Sequence, residues 1–391
     1  MNIVFFVHPT FLNSQSMPKF AQMLADGMKN RGHTVEVLSP RPYFFRLPIR
    51  QKLRKWMGYI DQYLIFPSRV RVRLKRLPKD TLFVFSDQAL GPWVPLVKRL
   101  PHVIHCHDFL AQRSALGQIP ENKTGLAGKQ YQAFIRRGFK QGKNFISVSN
   151  NTKRDLQNFL TAPPLRSEVV YNGLNQSFAP GNQEHARLSL TRQYGIELAN
   201  GYLLHVGGNQ WYKNRKGVLE IYEAFRSEYQ VNIPILLVGQ NPTKELLEIS
   251  DSSPFKSGIH WLTNLDDDAI KTAYQGATIF IFPSLGEGFG WPIAEAMASG
   301  CPVITTNEAP MTEVAGEVAL LIPRRPVDPT KVEAWAAEGA ARVNEVIQFS
   351  TQQRLDVIQQ SIENARRFDT ERSLDQIEEI YSSILQSYQY K

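Results

Sequence analysis

Two carboxylates flank a glycine-rich turn in residues 284–300, SLGEGFGWPIAEAMASG. Glu287 comes just before the turn, and Glu295 follows it eight positions later. Pro292 is typical of the first turn of a helix, and Gly300 of the residue that ends one. We therefore place Glu287 on a loop after an apolar strand and Glu295 about one turn into the following helix. Free backbone N–H groups and the positive end of that helix predict an anion-binding crevice.

A purely structural interpretation of this stretch is also open. An acid in the first helical turn favours the helix dipole, and glycines between a strand and a helix are often only turn residues. Two features favour a ligand site instead. Phe289 stands between two glycines with little local structure to bury it, and Glu287 precedes the turn, where no helix dipole stabilises it.

A second group of candidates lies in residues 205–225, HVGGNQWYKNRKGVLEIYEAF. Two glycines end an apolar strand, and three cations precede an amphipathic helix. This combination suits a diphosphate, because backbone N–H groups and positive charge meet there. The pattern matches neither the P-loop nor the dinucleotide fingerprint, and a basic surface loop is the alternative. The residues concerned are Gly207, Gly208, Lys213, Arg215 and Lys216.

The segment 102–109, HVIHCHDF, ends a strand with His105, His107 and Asp108. A metal site, a structural histidine and a functional histidine are the interpretations, and the metal site lacks further nearby ligands. The triplet 266–268 contains D-x-D, but acids at a helix cap and first turn explain it. We therefore predict no metal site.

Strand and helix patterns alternate through both halves of the chain. Repeated βα units predict parallel, doubly wound sheets, and 391 residues exceed one ordinary core. We predict an α/β protein of two Rossmann-like domains facing a cleft. The predicted domains are 1–178 plus 370–391, and 183–369. The tail, 372–388, carries one apolar stripe and is predicted to be an amphipathic helix.

The individual elements follow from the same patterns. The predicted strands are 2–7, 34–38, 81–85, 102–105, 144–148, 168–171, 202–206, 233–238, 259–261, 278–282 and 303–305. The predicted helices before the tail are 17–30, 151–159, 217–229, 268–275 and 292–299.

Positive charge is concentrated in the first half. The formal net charge is +9, but residues 1–180 hold 27 Lys plus Arg against 9 Asp plus Glu, and the remainder holds 18 against 27. Residues 41–80 contribute twelve basic and two acidic side chains, with aromatic residues between them. A solvated basic face, an anionic membrane surface and nucleic acid are the possible explanations.

Two features of the composition bear on the compartment. The chain has no run of about 18 apolar residues, which a membrane span requires, and residues 1–7 resemble a first strand rather than a signal peptide. We expect a cytoplasmic protein. The two cysteines, Cys106 and Cys301, are isolated and are predicted to be buried small residues.

The stretch 284–300 closely resembles the E-x7-E motif of the retaining GT-B glycosyltransferases of family 4, also called glycosyl transferases group 1. Residues 206–214, with the spacing V-G-x-x-x-x-x-K-N, resemble the family's phosphate-binding loop. His107 matches the histidine of the family's IHD stretch. The resemblance covers nearly the whole chain and is weakest before residue 100. It implies the GT-B fold, in which a terminal helix crosses back to the first domain.

The resemblance also implies roles for the candidate residues. Lys213 would contact the donor diphosphate, Glu287 the sugar hydroxyls and Glu295 the ribose hydroxyls. His107 would reach the donor sugar from the other domain. Arg215 and Lys216 are weaker candidates, since the family varies there. Further donor contacts would come from the turn residues Gly288, Phe289 and Gly290.

One segment departs from the family pattern. The first βα loop lacks the paired glycines that many relatives place near the donor phosphates. Polar side chains stand there instead, and the sequence assigns no role to them. They are Asn13, Ser14 and Ser16.

We predict a metal-independent hexosyltransferase that moves a sugar from a nucleoside-diphosphate sugar to an acceptor, without a cofactor. Retention at the anomeric carbon follows from the resemblance alone. The basic first half favours an anionic or membrane-borne acceptor, such as a lipid-linked saccharide or a polysaccharide precursor, with the protein peripheral on the inner face of the membrane. The alternatives are a nucleotide-sugar-binding protein without transfer activity and a binder of nucleic acid or membrane surfaces.

Overall fold

A computed structural model describes residues 1–11, 16–48, 50–174 and 176–389. The chain divides into two compact units, each with its own sheet. Unit 1 comprises Met1–Asn175 and Thr370–Lys391, and unit 2 comprises Gln176–Asp369. In the described residues each sheet has six strands, and every pairing within it is parallel. The predicted fold of two parallel, doubly wound sheets is confirmed.

The sheet of unit 1 has the strand order β2-β1-β3-β4-β5-β6. Its strands are β1 (Asn2–Phe6), β2 (Thr34–Leu38), β3 (Thr81–Phe85), β4 (His102–Cys106), β5 (Asn144–Ser147) and β6 (Arg166–Val169). Because β2 and β3 lie on opposite sides of β1, the strand order reverses between β1 and β3. In open α/β sheets, ligands bind at the carboxyl ends of the strands at such a reversal.

Helices cover this sheet in the order that βα units require. They are α1 (Ser16–Asn30), α2 (Gln51–Ile60), α3 (Phe66–Leu74), α4 (Leu110–Ala115), α5 (Leu126–Phe139) and α6 (Asn150–Phe159). A π-helical segment, Asp61–Ile65, joins α2 to α3 without a break. The core beneath α3 and α5 is aromatic, with Phe6 stacked on Phe85 at 4.6 Å between ring centroids.

The sheet of unit 2 has the strand order β12-β11-β10-β7-β8-β9. Its strands are β7 (Leu203–Gly207), β8 (Ile235–Gly239), β9 (Ile259–Thr263), β10 (Ile279–Phe282), β11 (Val303–Thr306) and β12 (Leu320–Ile322). The order reverses between β7 and β10. The central strands are apolar and buried, as expected for a parallel sheet covered on both faces.

Eight helices within the described part of unit 2 surround this sheet. They are α7 (Gln183–Tyr194), α8 (Arg215–Tyr229), α9 (Lys244–Ser252), α10 (Asp267–Gly276), α11 (Trp291–Ala298), α12 (Met311–Ala315), α13 (Val332–Ile347) and α14 (Thr351–Ala365). Helix α13 packs on the core that α8 also covers, through Trp335, Ala340 and Val343.

The last helix, α15 (Thr370–Gln389), belongs to unit 1. Arg31 donates to Glu371 and Asp375 of this helix at 2.7 Å each. Its apolar stripe is buried, as predicted from residues such as Leu374 and Ile384. None of the helices in the described residues combines the length and the apolar character that a membrane-spanning segment needs.

Most predicted elements match the structure, with shifts at their ends. β6 is Arg166–Val169 rather than 168–171, because its pairing with β5 begins at Arg166, opposite Asn144. Strand β12 and nine helices of the described residues were not predicted, namely α2, α3, α4, α5, α7, α9, α12, α13 and α14.

Candidate functional site

The turn after β10 begins a helix as the sequence predicts. All of β10 is buried, and α11 begins at Trp291 with Pro292 in its first turn. Gly290 precedes the helix with a φ of +109°, a conformation that L side chains rarely adopt. The glycine therefore lets the chain turn from the loop into the helix. Gly300 follows the helix with a φ of +74°.

Glu287 on this loop is paired with Lys213. Lys213 Nζ lies 2.8 Å from Glu287 Oε1, and their side chains are 14% and 9% exposed. Ser284, which is fully buried, lies with its Oγ 2.8 Å from the same carboxylate oxygen. Lys213 Nζ also lies 4.9 Å from the centroid of the Phe282 ring. The pair is thus a largely buried contact between a cation and a carboxylate.

The loops that carry this pair follow β7 and β10, the two strands between which the sheet order reverses. Backbone and side-chain hydrogen bonds hold them together. Leu285 N–H donates to the Tyr212 carbonyl at 2.7 Å, and Asn214 Nδ2 donates to the Pro283 carbonyl at 2.9 Å. Asn214 has a φ of +51° and caps α8 by accepting from Gly217 N–H at 3.2 Å. The position of Lys213 is therefore fixed from both loops.

Arg215 and Lys216, the other two cations of the second motif, have partners other than Glu287. Arg215 is buried and donates through Nη1 to Asn209 Oδ1 at 2.6 Å and to the Gln240 carbonyl at 2.9 Å. Its guanidinium lies 4.5 Å from the Trp261 ring centroid, and burial lowers the pKa of Arg215 to about 10. Lys216 is half-exposed and lies 3.6 Å from a surface carboxylate. Of the three cations, only Lys213 meets a carboxylate of the E-x7-E turn.

Neighbouring side chains leave little space for a Cβ atom at Gly207, the last residue of β7, or at Gly208, which follows it. A Cβ added at Gly207 would lie 2.9 Å from His205 Nε2, and one at Gly208 would lie 2.5 Å from Gln210 Oε1. His205 is fully buried and donates through Nδ1 to the Ile281 carbonyl at 2.9 Å. Burial lowers its pKa to about 3. This histidine was not among the predicted residues.

Glu295 and Phe289, two further residues of the E-x7-E motif, contact side chains that are far from them in the sequence. Glu295 Oε2 accepts from the buried Tyr274 hydroxyl at 3.0 Å. Phe289 is only 4% exposed, because Phe368 packs edge-on against it at 5.2 Å between ring centroids. The position of Phe289 between two glycines therefore does not indicate a ligand contact, because packing within unit 2 buries its ring.

The predicted histidine of unit 1 lies at the carboxyl end of β4. His107 is buried and donates through Nε2 to the Ser86 carbonyl at 2.8 Å, and its backbone N–H donates to Gln88 Oε1 at 2.9 Å. Burial lowers the pKa of His107 below its ordinary value. His105 lies inside the sheet, hydrogen-bonded to the Tyr381 hydroxyl of α15 at 2.6 Å.

Sequence reasoning missed a second pair in unit 1, between His8 and Asp87. His8 Nε2 donates to Asp87 Oδ2 at 2.8 Å, and Asp87 Oδ1 accepts from Ala89 N–H at 2.8 Å. Burial alone would raise the pKa of Asp87, but the hydrogen bonds from His8 and Ala89 N–H and the nearby imidazoles of His8 and His107 together outweigh it, so the pKa lies below its ordinary value. The pair follows β1 and β3, where the order of this sheet reverses. A polar residue just after each of two apolar strands was the available signal.

Two further sequence predictions concern metal and the first loop. Asp266 caps α10 by accepting from Ala269 N–H at 2.8 Å, as the cap interpretation of the acidic triplet predicts. Among the residues that the structure describes, no three His, Cys, Asp or Glu side chains could together hold a metal ion. Asn13 and Ser14 lie outside the described residues, as does the side chain of Ser16.

Solved structures identify the class of fold. The Anabaena protein HepE in complex with UDP matches with a TM-score of 0.68 and 18% identity, over 98% of this chain and all of that chain. WaaG, a glycosyltransferase of lipopolysaccharide biosynthesis, matches with a TM-score of 0.67 and 16% identity, over 97% of this chain and 99% of that one. The fold is therefore that of the GT-B glycosyltransferases.

Family models match both units. A model described as "Glycosyltransferase Family 4" matches residues 17–178, and one described as "Glycosyl transferases group 1" matches residues 200–338. The two matches together cover more than three quarters of the chain. The chain belongs to the family 4 glycosyltransferases.

Curated relatives are glycosyltransferases of related names. The Escherichia coli O-antigen chain mannosyltransferase B is 25% identical over 288 residues, 73% of this chain and 71% of that protein. The Escherichia coli lipopolysaccharide glucosyltransferase WaaG is 25% identical over 184 residues, so the alignment spans about half the length of each chain. These relatives support sugar transfer from a nucleotide sugar as the general activity.

Proposed function

We propose that this glycosyltransferase is a retaining, metal-independent hexosyltransferase that uses a nucleoside-diphosphate sugar. The observation that carries the proposal is the largely buried pair of Lys213 and Glu287, where the loops after β7 and β10 meet. Ligands of open α/β sheets bind at this kind of reversal in strand order. The pair therefore offers a cation and a carboxylate to one ligand, as a sugar joined to a diphosphate requires.

Sugar transfer from such a donor develops opposite charges on two neighbouring groups, the diphosphate and the sugar. As the glycosidic bond breaks, negative charge grows on the leaving diphosphate and the sugar becomes oxocarbenium-like. The ammonium of Lys213 and the N–H groups of the Gly288–Gly290 turn stabilise the first charge. Preorganised donors of this kind are worth about 3–4 kcal/mol each. Because these groups already supply positive charge, the proposed mechanism needs no metal ion.

The other residues of unit 2 hold the donor. Glu287 accepts hydrogen bonds from sugar hydroxyls, and Glu295, held by Tyr274, accepts from ribose hydroxyls. The glycines at the end of β7, Gly207 and Gly208, let the donor approach the backbone. The complex of HepE with UDP supports a nucleoside diphosphate as the ligand class. Retention rests on the family's motif.

We assign the acceptor to unit 1 and His107 to the transferred sugar. The excess of basic residues in 1–180 favours an anionic or membrane-borne acceptor. The names of the relatives, an O-antigen mannosyltransferase and a lipopolysaccharide glucosyltransferase, support a lipid-linked saccharide or polysaccharide precursor. Leu53 and Trp56 on α2 are 51% and 62% exposed beside basic side chains, which is typical of helices at a membrane surface. We propose a peripheral position on the cytoplasmic face of the membrane.

The donor assignment can be tested by a hydrolysis and transfer screen against UDP-, GDP- and ADP-sugars, with and without chelator. We expect turnover of one donor class that survives chelation. Glu287→Ala should lower that turnover about 100-fold or more, as loss of a group aimed at the reacting centre does. Glu245→Ala is the matched control, because Glu245 is an exposed acid on α9 of the same unit.

Three outcomes would contradict the proposal. Turnover abolished by chelator would refute metal independence. Equal turnover in both variants would remove Glu287 from the site. Tight donor binding without turnover of any donor would favour the nucleotide-sugar-binding protein.

The proposed membrane position makes a separate prediction. The protein should sediment with vesicles containing anionic phospholipid at low salt and remain in the supernatant with neutral vesicles. Equal sedimentation with both kinds of vesicle, or tighter binding to duplex DNA than to anionic vesicles, would overturn it.

A further inference from the structure

A cavity of about 290 Å³ lies at the edge of the unit 1 sheet. Its floor is β2, the edge strand, and its walls are the π-helical segment, α3 and the chain after β2. Ser39 on its rim donates through Oγ to the His8 carbonyl at 3.0 Å. The cavity therefore lies beside the carboxyl ends of β1 and β2, the edge of the sheet where ligands of this fold class bind.

The side chains that line this cavity include three basic and two acidic residues. They are Arg41, Arg69, Arg73, Glu36 and Asp61. Glu36 is occupied by Arg73, which donates to its two oxygens at 2.9 and 2.8 Å. Both oxygens of Asp61 accept backbone N–H groups, from Phe44 at 3.0 Å and Phe45 at 2.9 Å. Within the described residues, Arg41 and Arg69 have no carboxylate within ion-pair distance.

Buried contacts fix the shape of the cavity. Asp61 is only 1% exposed, and by accepting from two successive N–H groups it holds the turn that carries Tyr43. The Arg69 guanidinium lies 5.4 Å from the Tyr43 ring centroid, which orients it along the wall. Asp61 begins a π-helical segment, and such segments are frequent at functional sites. Apolar side chains complete the wall, among them Ile65 and Phe66.

We propose that this cavity binds a phosphate group of the acceptor. Guanidinium groups present paired N–H donors that match phosphate oxygens, and they lose less hydration than an ammonium does. Two arginines without carboxylate partners supply the charge, and the apolar wall suits the part of the acceptor next to the phosphate. The inference rests on the proposed function in one respect, the assignment of the acceptor to unit 1. The phosphate could belong to a lipid headgroup or to a soluble molecule, and both share this chemistry.

The test is calorimetric titration of the full chain with inorganic pyrophosphate at low salt. Arg69→Ala should weaken binding at this site by about tenfold or more, since a charged hydrogen-bonding group is lost. Arg71→Ala is the matched control, because Arg71 lies on the same helix, is exposed and does not line the cavity. It should change the affinity by less than about twofold, as expected for the loss of an exposed charge.

A third variant separates this site from the proposed donor site. Lys213→Ala should leave the binding that depends on Arg69 intact, because Lys213 belongs to unit 2. Equal weakening in Arg69→Ala and Arg71→Ala would overturn the proposal, as would pyrophosphate binding that only Lys213→Ala removes. Donor turnover is measured separately, so its loss or retention does not decide this result.

Sedimentation with anionic vesicles identifies the source of the phosphate. If it belongs to a lipid, Arg69→Ala should sediment less than Arg71→Ala, and pyrophosphate should release the wild-type protein. If both variants sediment equally while pyrophosphate binding still requires Arg69, the ligand is a soluble phosphate compound.

Discussion

The two sheets carry a pair of a side-chain nitrogen and a carboxylate at the same topological position. In unit 1, His8 and Asp87 follow β1 and β3, and in unit 2, Lys213 and Glu287 follow β7 and β10. In each sheet these are the strands between which the order reverses. The nitrogen and oxygen lie 2.8 Å apart in both pairs.

The pairs differ in what surrounds them. Lys213 and Glu287 are supported by Ser284 and by hydrogen bonds between their two loops. In unit 1 an imidazole takes the place of the ammonium and lies near His107, whose pKa is lowered by burial. One position of the fold thus supplies an ammonium, which suits a diphosphate, and the other supplies a hydrogen-bonded imidazole. Arg41 and Arg69, which have no carboxylate partner among the described residues, line the cavity beside the edge strand β2.

Removal of the ammonium should have the largest effect. Lys213→Ala should lower donor turnover about 100- to 1,000-fold, because a preorganised charge is lost and Glu287 is left without its cation. Lys216→Ala should lower it by no more than about threefold, because exposed ion pairs are worth under about 1 kcal/mol. Steady-state turnover of the donor found in the screen measures both. Equal losses would mean that the pair with Glu287 does not distinguish the two lysines.

The unit 1 pair should affect stability more than donor turnover. Asp87→Asn keeps the shape of the side chain but removes its charge, and should lower the free energy of unfolding by about 1–3 kcal/mol at pH 7. Urea unfolding measures this loss. Asp80→Asn, at an exposed position in the same unit, is the control. If the two variants unfold at the same urea concentration, the His8–Asp87 contact does not stabilise unit 1.

The pH dependence of this difference follows from the lowered pKa of Asp87. A carboxyl with a lower pKa in the folded state contributes stability that is present above its unfolded pKa of about 3.9. That contribution is lost as the pH falls through the folded value. The gap between wild type and Asp87→Asn should therefore persist from pH 7 to about pH 4 and shrink below it. A gap that widens on acidification would contradict the lowered pKa.

The sequence predicts the local part of the unit 2 site better than its long-range part. Proline and glycine at the ends of α11 predict the loop that carries Glu287, since these residues act through local backbone geometry. The pairing of Glu287 with Lys213 joins positions 74 residues apart and depends on β7 lying beside β10. Strand order cannot be derived from spacing. The burial of Phe289 by Phe368 depends on tertiary packing in the same way.

In unit 1 the sequence predicts even less of the long-range contacts. The basic run in 41–80 predicts a charged surface, but not the continuous helix through the π-helical segment that gathers Arg69 and Arg73 along one wall. α13 was missed because its core contacts include small residues such as Ala336, Gly339 and Ala340, which give a weak apolar signal. His8 and Asp87 each follow a predicted strand. Only the order of β1 and β3 in the sheet brings them together.

The smallest expected effect concerns one buried imidazole within each sheet, His105 in β4 and His205 in β7. Burial lowers the pKa of both His105 and His205 to about 3. His105 Nε2 is hydrogen-bonded to Tyr381, whereas His205 Nε2 has no partner among the described residues. Tyr381→Phe would leave His105 Nε2 without this hydrogen bond, and His205 Nε2 is already without one. We therefore expect the free energy of unfolding to fall by only about 1 kcal/mol.

Urea unfolding at pH 7 measures this loss, with Tyr43→Phe at a more exposed position as the control. An imidazole whose pKa is lowered in the folded state favours unfolding as the pH falls below its unfolded value of about 6.5. Both histidines should therefore make the wild type less stable between about pH 6.5 and pH 3, and Tyr381→Phe should keep that dependence. A loss above about 3 kcal/mol would show that the hydrogen bond to α15 stabilises unit 1 more than a single neutral contact can.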